Sequence, residues 1–269
     1  MIKLIATDLD GTLLNNDRRL PEGIFDAVSE LLAHGVLFAP ASGRQYANVK
    51  KLFAPVSDKI MFICENGALV KYRGKTIYSY PITDGDVLTA LNEIRLIPHL
   101  FPMLCCEENA YVETCAEPFY SCATDSYDNC IKVNSLNDVI GREHVCKIAI
   151  YDELGSAAHC IKELPPRLKN LNIILSGADW CDVSAPASSK GAAIRFIRKK
   201  FSLRREECVS FGDHMNDFEM LSECGLAYVT ENAYPPLKER IKNVVPSNTE
   251  NGAYYKILEI LNDLKKDRT

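Results

Sequence analysis

The strongest constraint on the fold is an alternation of short apolar strands with helical segments at the start of the chain. Three apolar runs, Ile2–Thr7, Val36–Ala41 and Ile60–Cys64, have the length and composition of buried strands. Between the first two, apolar residues recur at helical spacing from Pro21 to Gly35, and another helical pattern follows the second run. Parallel strands need crossover connections of this kind, which are almost always right-handed. The opening of the chain therefore predicts a parallel sheet covered by helices.

The middle of the chain has a different pattern of predicted secondary structure. The segments Ala68–Tyr80 and Ile173–Val183 read as hairpins with glycine-containing turns, and Met103–Glu113 reads as two strands around a polar turn. Ser156–Leu164 reads as a helix. Mixed hairpins and helices indicate an antiparallel sheet with helices on one face. Towards the C-terminus the strand–helix alternation returns, and it ends in an amphipathic helix over Tyr254–Leu264.

The strand–helix alternation at both ends of the chain and the hairpins in its middle predict an α/β protein. It has a doubly wound, Rossmann-like parallel-sheet core and an inserted α+β domain. We assign residues 1–82 and 187–269 to the core and residues 83–186 to the insertion. A chain of 269 residues is long enough to give each of two domains its own hydrophobic core.

Composition argues against two classes of partner. The formal net charge is −5, whereas binding to nucleic acid or to an anionic membrane requires a basic face. No apolar run approaches the length of a membrane span, and the first one is cut at Asp8, too early for a signal peptide. We therefore expect a cytoplasmic protein with neither nucleic acid nor membrane as its partner. The sequence gives no indication of the oligomeric state.

The segment Asp8-Leu9-Asp10-Gly11-Thr12 directly follows the first predicted strand. In a doubly wound sheet, binding sites form outside the carboxyl ends of the strands. Two carboxylates at this place can hold a hard cation, and Mg²⁺ in particular binds a few carboxylates together with phosphate and water. Gly11 allows the chain to turn sharply and bring backbone amides near an anion. The placement favours a functional site over a simple polar turn.

Two further segments have features of a phosphate site. Ser42-Gly43-Arg44 follows the second predicted strand, and a hydroxyl and a free amide at a helix N-terminus suit a phosphate group. Ser42 does not fit a serine-hydrolase nucleophile, because Pro40 stands where the nucleophile elbow requires glycine. Lys190, followed by Gly191, begins a helix where the core pattern resumes. A lysine is usually solvated, but this position shifts the interpretation towards a phosphate contact.

The segment Gly212-Asp213-His214-Met215-Asn216-Asp217 follows another predicted strand, Glu207–Phe211. Two acids close together past a strand end repel each other unless a cation lies between them. A helix N-cap accounts for one of these acids but not for both. We therefore interpret Asp213 and Asp217 as part of a cation site. The histidines of the chain are scattered and are assigned structural or surface positions: His34, His99, His144, His159 and His214.

Taken in order, these motifs resemble those of the haloacid dehalogenase-like superfamily of phosphohydrolases. The motifs are Asp8-Leu9-Asp10-Gly11-Thr12, Ser42, Lys190 and Gly212-Asp213…Asn216-Asp217. The long insertion between Ser42 and Lys190 is similar to the α/β (type IIB) cap of the Cof-like branch. The resemblance covers essentially the whole chain. It implies a Mg²⁺-dependent phosphatase acting on a small phosphorylated metabolite, with a sugar phosphate favoured.

The resemblance also implies a role for each motif residue. Asp8 would be the nucleophile that forms an aspartyl-phosphate, and Asp10 the general acid/base. The implied phosphate-binding residues are Ser42, Gly43, Lys190 and Asn216. The implied metal ligands are Asp8, Asp10 through its backbone carbonyl, Asp213 and Asp217, the last of which would orient phosphate and metal-bound water.

Other functions remain open at this point. A phosphomutase would use the same core residues but return the phosphoryl group to a sugar. A catalytically silent phosphometabolite-binding protein is disfavoured, because each implied catalytic position carries a competent residue. A glycosyltransferase with an Asp-x-Asp pair is also disfavoured, because its pair need not follow the first strand or be matched by Asp213. Accumulation of free phosphate, and the absence of activation by a sugar bisphosphate, distinguish a phosphatase from a phosphomutase.

Overall fold

The computed structural model describes residues 1–155 and 159–266, with Ser126 described through its backbone alone. The strands are β1 Leu4–Asp8, β2 Leu37–Ala41, β3 Met61–Cys64, β4 Leu69–Tyr72, β5 Lys75–Ser79, β6 Leu100–Cys106, β7 Ala110–Val112, β8 Cys130–Lys132, β9 Val145–Asp152, β10 Asn172–Leu175, β11 Trp180–Ser184, β12 Cys208–Gly212, β13 Leu226–Thr230 and β14 Val244–Val245. The α-helices are α1 Ile24–Ala33, α2 Tyr46–Leu52, α3 Asp84–Ile94, α4 Phe119–Ser126, α5 Cys160–Glu163, α6 Lys190–Lys200, α7 Phe218–Glu223, α8 Pro235–Arg240 and α9 Gly252–Lys266.

The described residues form two compact units. The first contains Met1–Ser42, Val49–Tyr78 and the described residues from Ser189 onward, and the second contains Gly43–Asn48 and Ser79–Ser188. Each unit has its own sheet and its own hydrophobic core. The predicted fold class, a doubly wound parallel-sheet core with an inserted α+β domain, is confirmed.

The sheet of the first unit has the strand order β14-β13-β12-β1-β2-β3-β4-β5. The strands from β14 to β3 run parallel, and β4 is antiparallel to β3. From β1 the chain first adds β2 and β3 on one side, and later β12 and β13 on the other. The order therefore reverses at β1, which makes the carboxyl end of this strand the place where a doubly wound sheet binds ligands.

The apolar sequence of β1 explains its central position. All five residues of Leu4–Asp8 are buried, as expected for a parallel strand covered on both faces. Helix α1 buries the apolar positions that gave its helical pattern, among them Ile24, Val28 and Leu31. The predicted first strand is confirmed, but it extends one residue further than expected, so that Asp8 is its last residue.

The second unit is built on a mostly antiparallel sheet with the order β10-β11-β9-β6-β7-β8. Strand β9 is central and buried along its whole length, and it pairs antiparallel with β6 and β11. The strands expected within Met103–Glu113 and Ile173–Val183 are confirmed. Of the expected helix Ser156–Leu164, α5 covers Cys160–Glu163, and residues 156–158 lie outside the described residues. None of the described helices combines the length and the apolar composition needed to cross a membrane.

Candidate active site

The carboxyl ends of β1 and β12 bring three acidic residues together. The two strands are parallel neighbours with Thr7 opposite Phe211, so Asp8 at the end of β1 lies level with Gly212, the last residue of β12. One carboxylate oxygen each of Asp8, Asp213 and Asp217 lies within 4.8 Å of the other two. Three of the four acids predicted from the sequence therefore form one cluster in the first unit.

The fourth acid, Asp10, lies in a tight turn after β1. The carbonyl oxygen of Leu9 accepts three backbone hydrogen bonds from this turn, at distances of 2.8, 3.1 and 3.3 Å. Gly11 has φ of +83°, and a Cβ atom there would lie 2.3 Å from Oδ2 of Asp213, so only glycine allows this approach. The hydroxyl of Thr12 donates a hydrogen bond to Oδ1 of Asp213 at 3.2 Å. The turn thus connects to the cluster, while the side chain of Asp10 is exposed.

Lys190 supplies the positive charge of the cluster. Its side chain is 1% exposed, and its Nζ donates hydrogen bonds to Oδ1 of Asp8 at 2.5 Å and to Oδ1 of Asp217 at 2.7 Å. The residue begins α6, whose N-cap Ser189 accepts a hydrogen bond from the backbone N–H of Ala192 at 3.1 Å. A cation at a helix N-terminus is disfavoured by the helix dipole. The two carboxylates therefore have to offset both this effect and the burial of the ammonium.

Asp217 organises the loop after β12. Its side chain is fully buried, and its Oδ2 accepts hydrogen bonds from the backbone N–H groups of Asp213 at 3.0 Å and His214 at 3.2 Å. Its Oδ1 accepts the hydrogen bond from Lys190. Gly212 allows this close packing, because a Cβ atom there would lie 2.6 Å from Cβ of Asp217. Both oxygens of Asp217 are thus occupied by donors from the protein.

The pKa values in the cluster reflect its burial and its excess of negative charge. Burial raises the pKa of Asp8 well above its usual range, with Asp217 and Asp213 raising it further and Lys190 opposing them. Burial and Asp217 raise the pKa of Asp213 to about 6, against the opposing effects of Lys190 and Thr12. Burial alone would lower the pKa of Lys190, but Asp217 and Asp8 outweigh it and hold this pKa above its ordinary value.

The composition of the cluster fits a hard divalent cation. Among the residues that the structure describes, Lys190 is the one ammonium group paired with Asp8 and Asp217, so three carboxylates face a single positive charge. All the available donors are oxygens, and Mg²⁺ prefers oxygen ligands and a small number of carboxylates. The residues present therefore fit Mg²⁺.

The phosphate-binding residues predicted from the sequence lie at neighbouring strand ends. Ser42 follows β2 and is 2% exposed, and its backbone N–H donates a hydrogen bond to the carbonyl of Ile63 at 2.8 Å. Its own carbonyl accepts a hydrogen bond from the backbone N–H of Asn66 at 3.1 Å. The side-chain amide of Asn216 donates to Oδ1 of Asn66 at 3.4 Å. Asn66 therefore links the loop that carries Asn216 to the segment that carries Ser42.

Asn66 is a residue of this site that no motif in the sequence indicates. It lies in a one-turn segment, Glu65-Asn66-Gly67, which directly follows β3 and in which all three residues have positive φ values of 50°, 53° and 96°. Non-glycine residues in this conformation are uncommon and occur often at functional sites. The signal that could have revealed Asn66 is its place at the carboxyl end of the third parallel strand, at the same edge of the sheet as Asp8 and Ser42.

Gly43 belongs to the second unit. Its carbonyl oxygen accepts a hydrogen bond from Nζ of Lys147 at 2.9 Å, and the same ammonium pairs with Oδ2 of Asp182 at 2.9 Å. Phosphate binding by Gly43 stays a prediction.

Comparison with known proteins agrees with this arrangement. A family model for haloacid dehalogenase-like hydrolases matches residues 5–257. The 5-amino-6-(5-phospho-D-ribitylamino)uracil phosphatase of Escherichia coli is 27% identical over 277 residues, covering 98% of this chain and 97% of that protein. The HMP-PP phosphatase of Yersinia enterocolitica is 26% identical over 252 residues, covering 90% of this chain and 88% of that protein. The crystal structure of SMU.1108c from Streptococcus mutans has the same fold, with a TM-score of 0.86, 23% identity and coverage of 97% and 100% of the two chains. The chain belongs to the haloacid dehalogenase-like hydrolase family.

Proposed function

We propose that this hydrolase is a Mg²⁺-dependent phosphatase that hydrolyses a small phosphomonoester through an aspartyl-phosphate on Asp8. The observation that carries the proposal is the position of Asp8 at the end of β1, paired with the buried ammonium of Lys190 and clustered with two further carboxylates. The two relatives named as phosphatases support the same reaction class.

Asp8 is the nucleophile in this proposal. Its Oδ1 accepts the hydrogen bond from Lys190, which leaves Oδ2 as the attacking oxygen. Attack forms the bond between Oδ2 and phosphorus and breaks the bond between phosphorus and the leaving alcohol oxygen. A water molecule then attacks the same phosphorus, the bond to Oδ2 breaks, and inorganic phosphate is released. The covalent intermediate divides one difficult hydrolysis into two easier displacements.

Asp10 is the general acid and base. Its side chain is exposed, in contrast to the buried carboxylates of Asp8 and Asp217. Asp10 follows the nucleophile by two residues and lies in the turn after β1. It would protonate the leaving oxygen in the first step and accept a proton from water in the second. Asp10 lies in the tight turn around Gly11, whose backbone hydrogen bonds to Leu9 fix its conformation.

Lys190 and the residues at the neighbouring strand ends bind the phosphate. The ammonium of Lys190 would offset charge on the phosphoryl oxygens, and Asp217 holds it in place through the hydrogen bond at 2.7 Å. Ser42 and Asn216 would donate hydrogen bonds to the remaining oxygens, together with the backbone amide of Gly43, which follows Ser42 in the chain.

The carboxylates of Asp8 and Asp213 and the backbone carbonyl of Asp10 would hold the Mg²⁺ ion. Asp217 would contribute through water, because three protein donors already occupy its oxygens. The bound cation would supply positive charge that lets an anionic carboxylate approach an anionic phosphate.

We further propose that residues 83–186 act as a cap that selects the substrate. Each residue to which we give a chemical role lies outside this range. The two relatives carry different substrates in their names, which fits a constant reaction combined with a variable selecting domain. A sugar phosphate or a related phosphorylated metabolite is the favoured substrate class.

The test is phosphate release from a panel of sugar phosphates, phosphorylated cofactors and p-nitrophenyl phosphate, with and without a chelator, using Asp8→Asn as the inactive control. Chelator-sensitive release that is absent from the variant supports the proposal. Conversion of one sugar phosphate into its isomer without net phosphate release would show a phosphomutase instead. Binding without turnover of any substrate would show a phosphometabolite-binding protein.

A further inference from the structure

A second cluster of possible metal ligands lies in the second unit, and the proposed phosphatase chemistry does not use it. It consists of His99, Asp152 and His159. Asp152 is the last residue of β9 and pairs with Leu100 of β6, so His99 comes just before this strand pair. His159 comes just before α5. One possible ligand atom of each residue lies within 4.8 Å of those of the other two.

The distances within this cluster are short. Nε2 of His99 lies 3.8 Å from Oδ1 of Asp152, and Nδ1 of His159 lies 3.4 Å from Oδ2 of Asp152. The two imidazole rings are 4.9 Å apart at their centroids. The side chain of Asp152 is 0% exposed, whereas those of the histidines are 21% and 29% exposed. The carboxylate is thus buried, whereas both imidazole rings are partly exposed to solvent.

The second observation is that two buried polar atoms of this cluster lack partners. Oδ1 of Asp152 accepts a hydrogen bond from the backbone N–H of Leu154 at 3.0 Å. Within residues 1–155 and 159–266, Oδ2 of Asp152 and Nε2 of His99 are buried and have no hydrogen-bond partner. The ion pairs of Asp152 in the same ranges are with the two histidines only. An unsatisfied buried carboxylate oxygen is costly, and a ligand between these atoms would remove that cost.

Hydrogen bonds around the cluster orient the ring of His159 and the backbone at Asp152. Nδ1 of His159 lies 3.2 Å from the carbonyl oxygen of Gly155, so a neutral ring that donates this hydrogen bond presents Nε2 as its ligand nitrogen. Metal-binding histidines usually donate their second ring N–H to a carbonyl or carboxylate in this way. The backbone around the carboxylate is fixed as well, because Asp152 N–H donates to the carbonyl of Asp179 at 2.9 Å and Glu153 N–H to that of His99 at 3.2 Å.

We propose that His99, Asp152 and His159 form a Zn²⁺ site that joins the start of β6, the end of β9 and the start of α5. Two imidazoles and one carboxylate, with water as the fourth ligand, are an established donor set for zinc. Zinc–ligand bonds of about 2.0–2.1 Å place neighbouring ligand atoms of a tetrahedral site roughly 3.3–3.4 Å apart. The 3.8 Å between Nε2 of His99 and Oδ1 of Asp152 is close to that spacing. Nitrogen ligands disfavour Mg²⁺ and Ca²⁺ at this place.

This site is independent of the cluster around Asp8, and its role is to stabilise the second unit. From the sequence alone, both histidines are expected at structural or surface positions, because the histidines are scattered along the chain. The neighbouring ends of β6 and β9 bring His99 to Asp152, and His159, the residue before α5, completes the cluster. Binding of a metal to the folded form alone raises the free energy of unfolding.

The test is calorimetric titration of Zn²⁺ into the metal-free, full-length protein in excess Mg²⁺. We expect one Zn²⁺ per chain at this cluster, with affinity at least about tenfold lower in His99→Gln and in Asp152→Asn. His144→Gln is the matched control, because it removes an exposed histidine of the same unit, and it should bind as the unaltered protein does. The Zn²⁺ equivalent should persist in Asp213→Asn, which alters the proposed Mg²⁺ site instead.

A second measurement does not depend on the folding of any variant. In the unaltered protein, the ring ¹⁵N resonances of His99 and His159 should move on addition of Zn²⁺, while those of His144 should not. Ring resonances of His99 and His159 that stay fixed under excess Zn²⁺ overturn the proposal, and so does a Zn²⁺ affinity that is equal in the unaltered protein, His99→Gln and Asp152→Asn. Loss of the Zn²⁺ equivalent in Asp213→Asn alone would overturn it too.

Discussion

Nζ of Lys190 donates a hydrogen bond to Oδ1 of Asp217 at 2.7 Å, and both side chains are 1% exposed. This contact connects the first residue of α6 to the loop after β12. The same ammonium also contacts Asp8 at the end of β1. Three parts of the first unit that are distant in sequence therefore depend on a single buried charge.

Replacing this charge should destabilise the protein as well as inactivate it. Lys190→Met leaves the carboxylates of Asp8 and Asp217 buried without their cation, so we expect a loss of about 3–5 kcal/mol in the free energy of unfolding and no measurable turnover. Urea denaturation checks the first effect and phosphate release the second. Lys199→Met, an exposed lysine in the last turn of the same helix, is the matched control and should change neither.

A double-mutant cycle tests the pairing itself. The double variant Lys190→Met with Asp217→Asn should lose less stability than the sum of the two single variants, because the second change removes one of the carboxylates that the first leaves unpaired. Additive effects would show that the two side chains do not interact energetically.

Asp8→Asn should abolish turnover while leaving the protein folded. The amide lacks the nucleophilic oxygen anion, and burial disfavours the charged form of Asp8, although Lys190 favours it. Lys190 loses one carboxylate partner but keeps Asp217, so the free energy of unfolding should change by less than in Lys190→Met. Circular dichroism during urea unfolding checks the fold, and phosphate release checks turnover. Residual turnover with the metal dependence of the unaltered enzyme would contradict the assignment of Asp8.

Asp213→Asn should weaken Mg²⁺ binding, because it removes one of the two carboxylates proposed to contact the ion. We expect the Mg²⁺ concentration for half-maximal activity to rise by about tenfold or more. Asp58→Asn, which alters an exposed acid, should leave this concentration unchanged. An unaltered Mg²⁺ requirement in Asp213→Asn would show that Asp213 is not a metal ligand.

Asp10→Asn should slow turnover by about 10²–10⁴-fold for substrates with a poor leaving group. With p-nitrophenyl phosphate the loss in the first step should be smaller, because its leaving group needs no proton. Affinity for Mg²⁺ should be retained, since only the backbone carbonyl of Asp10 is proposed to contact the metal. A normal rate with an alkyl phosphate would exclude Asp10 as the acid.

The core of the site could be predicted because it depends on local patterns and one topological rule. The short apolar runs predict β1, β2 and β3 to within two residues at their starts. Since parallel strands end at the same edge of a sheet, the acids at the carboxyl ends of β1 and β12 are predicted to meet there, and Asp8 and Asp213 do so. No knowledge of side-chain packing was needed for that step.

The parts that escaped prediction depend on tertiary contacts or lack a periodic pattern. The pairing of Lys190 with Asp217 arises only when α6 packs beside the loop after β12, so no spacing in the sequence indicates it. Asn66 owes its position to an unusual backbone conformation after β3. The segment 119–132, which forms α4 and β8, is rich in cysteine and polar residues and shows no clear apolar period.

Glu207, just before β12, should make the stability of the protein depend on pH. The sequence predicts that Glu207 begins this strand, but β12 begins one residue later, at Cys208. The carboxylate of Glu207 pairs with Nζ of Lys3 at 2.8 Å.

The hydrogen bond from Lys3 and that from the backbone N–H of Arg204 lower the pKa of Glu207 to about 2, from an ordinary 4.5. A carboxyl group with a lowered pKa in the folded state stabilises the protein at pH values above its unfolded pKa, and this contribution is lost as the pH falls through the folded value. Glu207→Gln should therefore be less stable than the unaltered protein at pH 6, and the difference should shrink progressively below pH 4.5. Urea midpoints at pH 6, 5, 4 and 3.5 measure it, with Glu206→Gln, an exposed neighbour, as the matched control. A difference that stays constant down to pH 3.5 would show that the charge of Glu207 contributes nothing to stability.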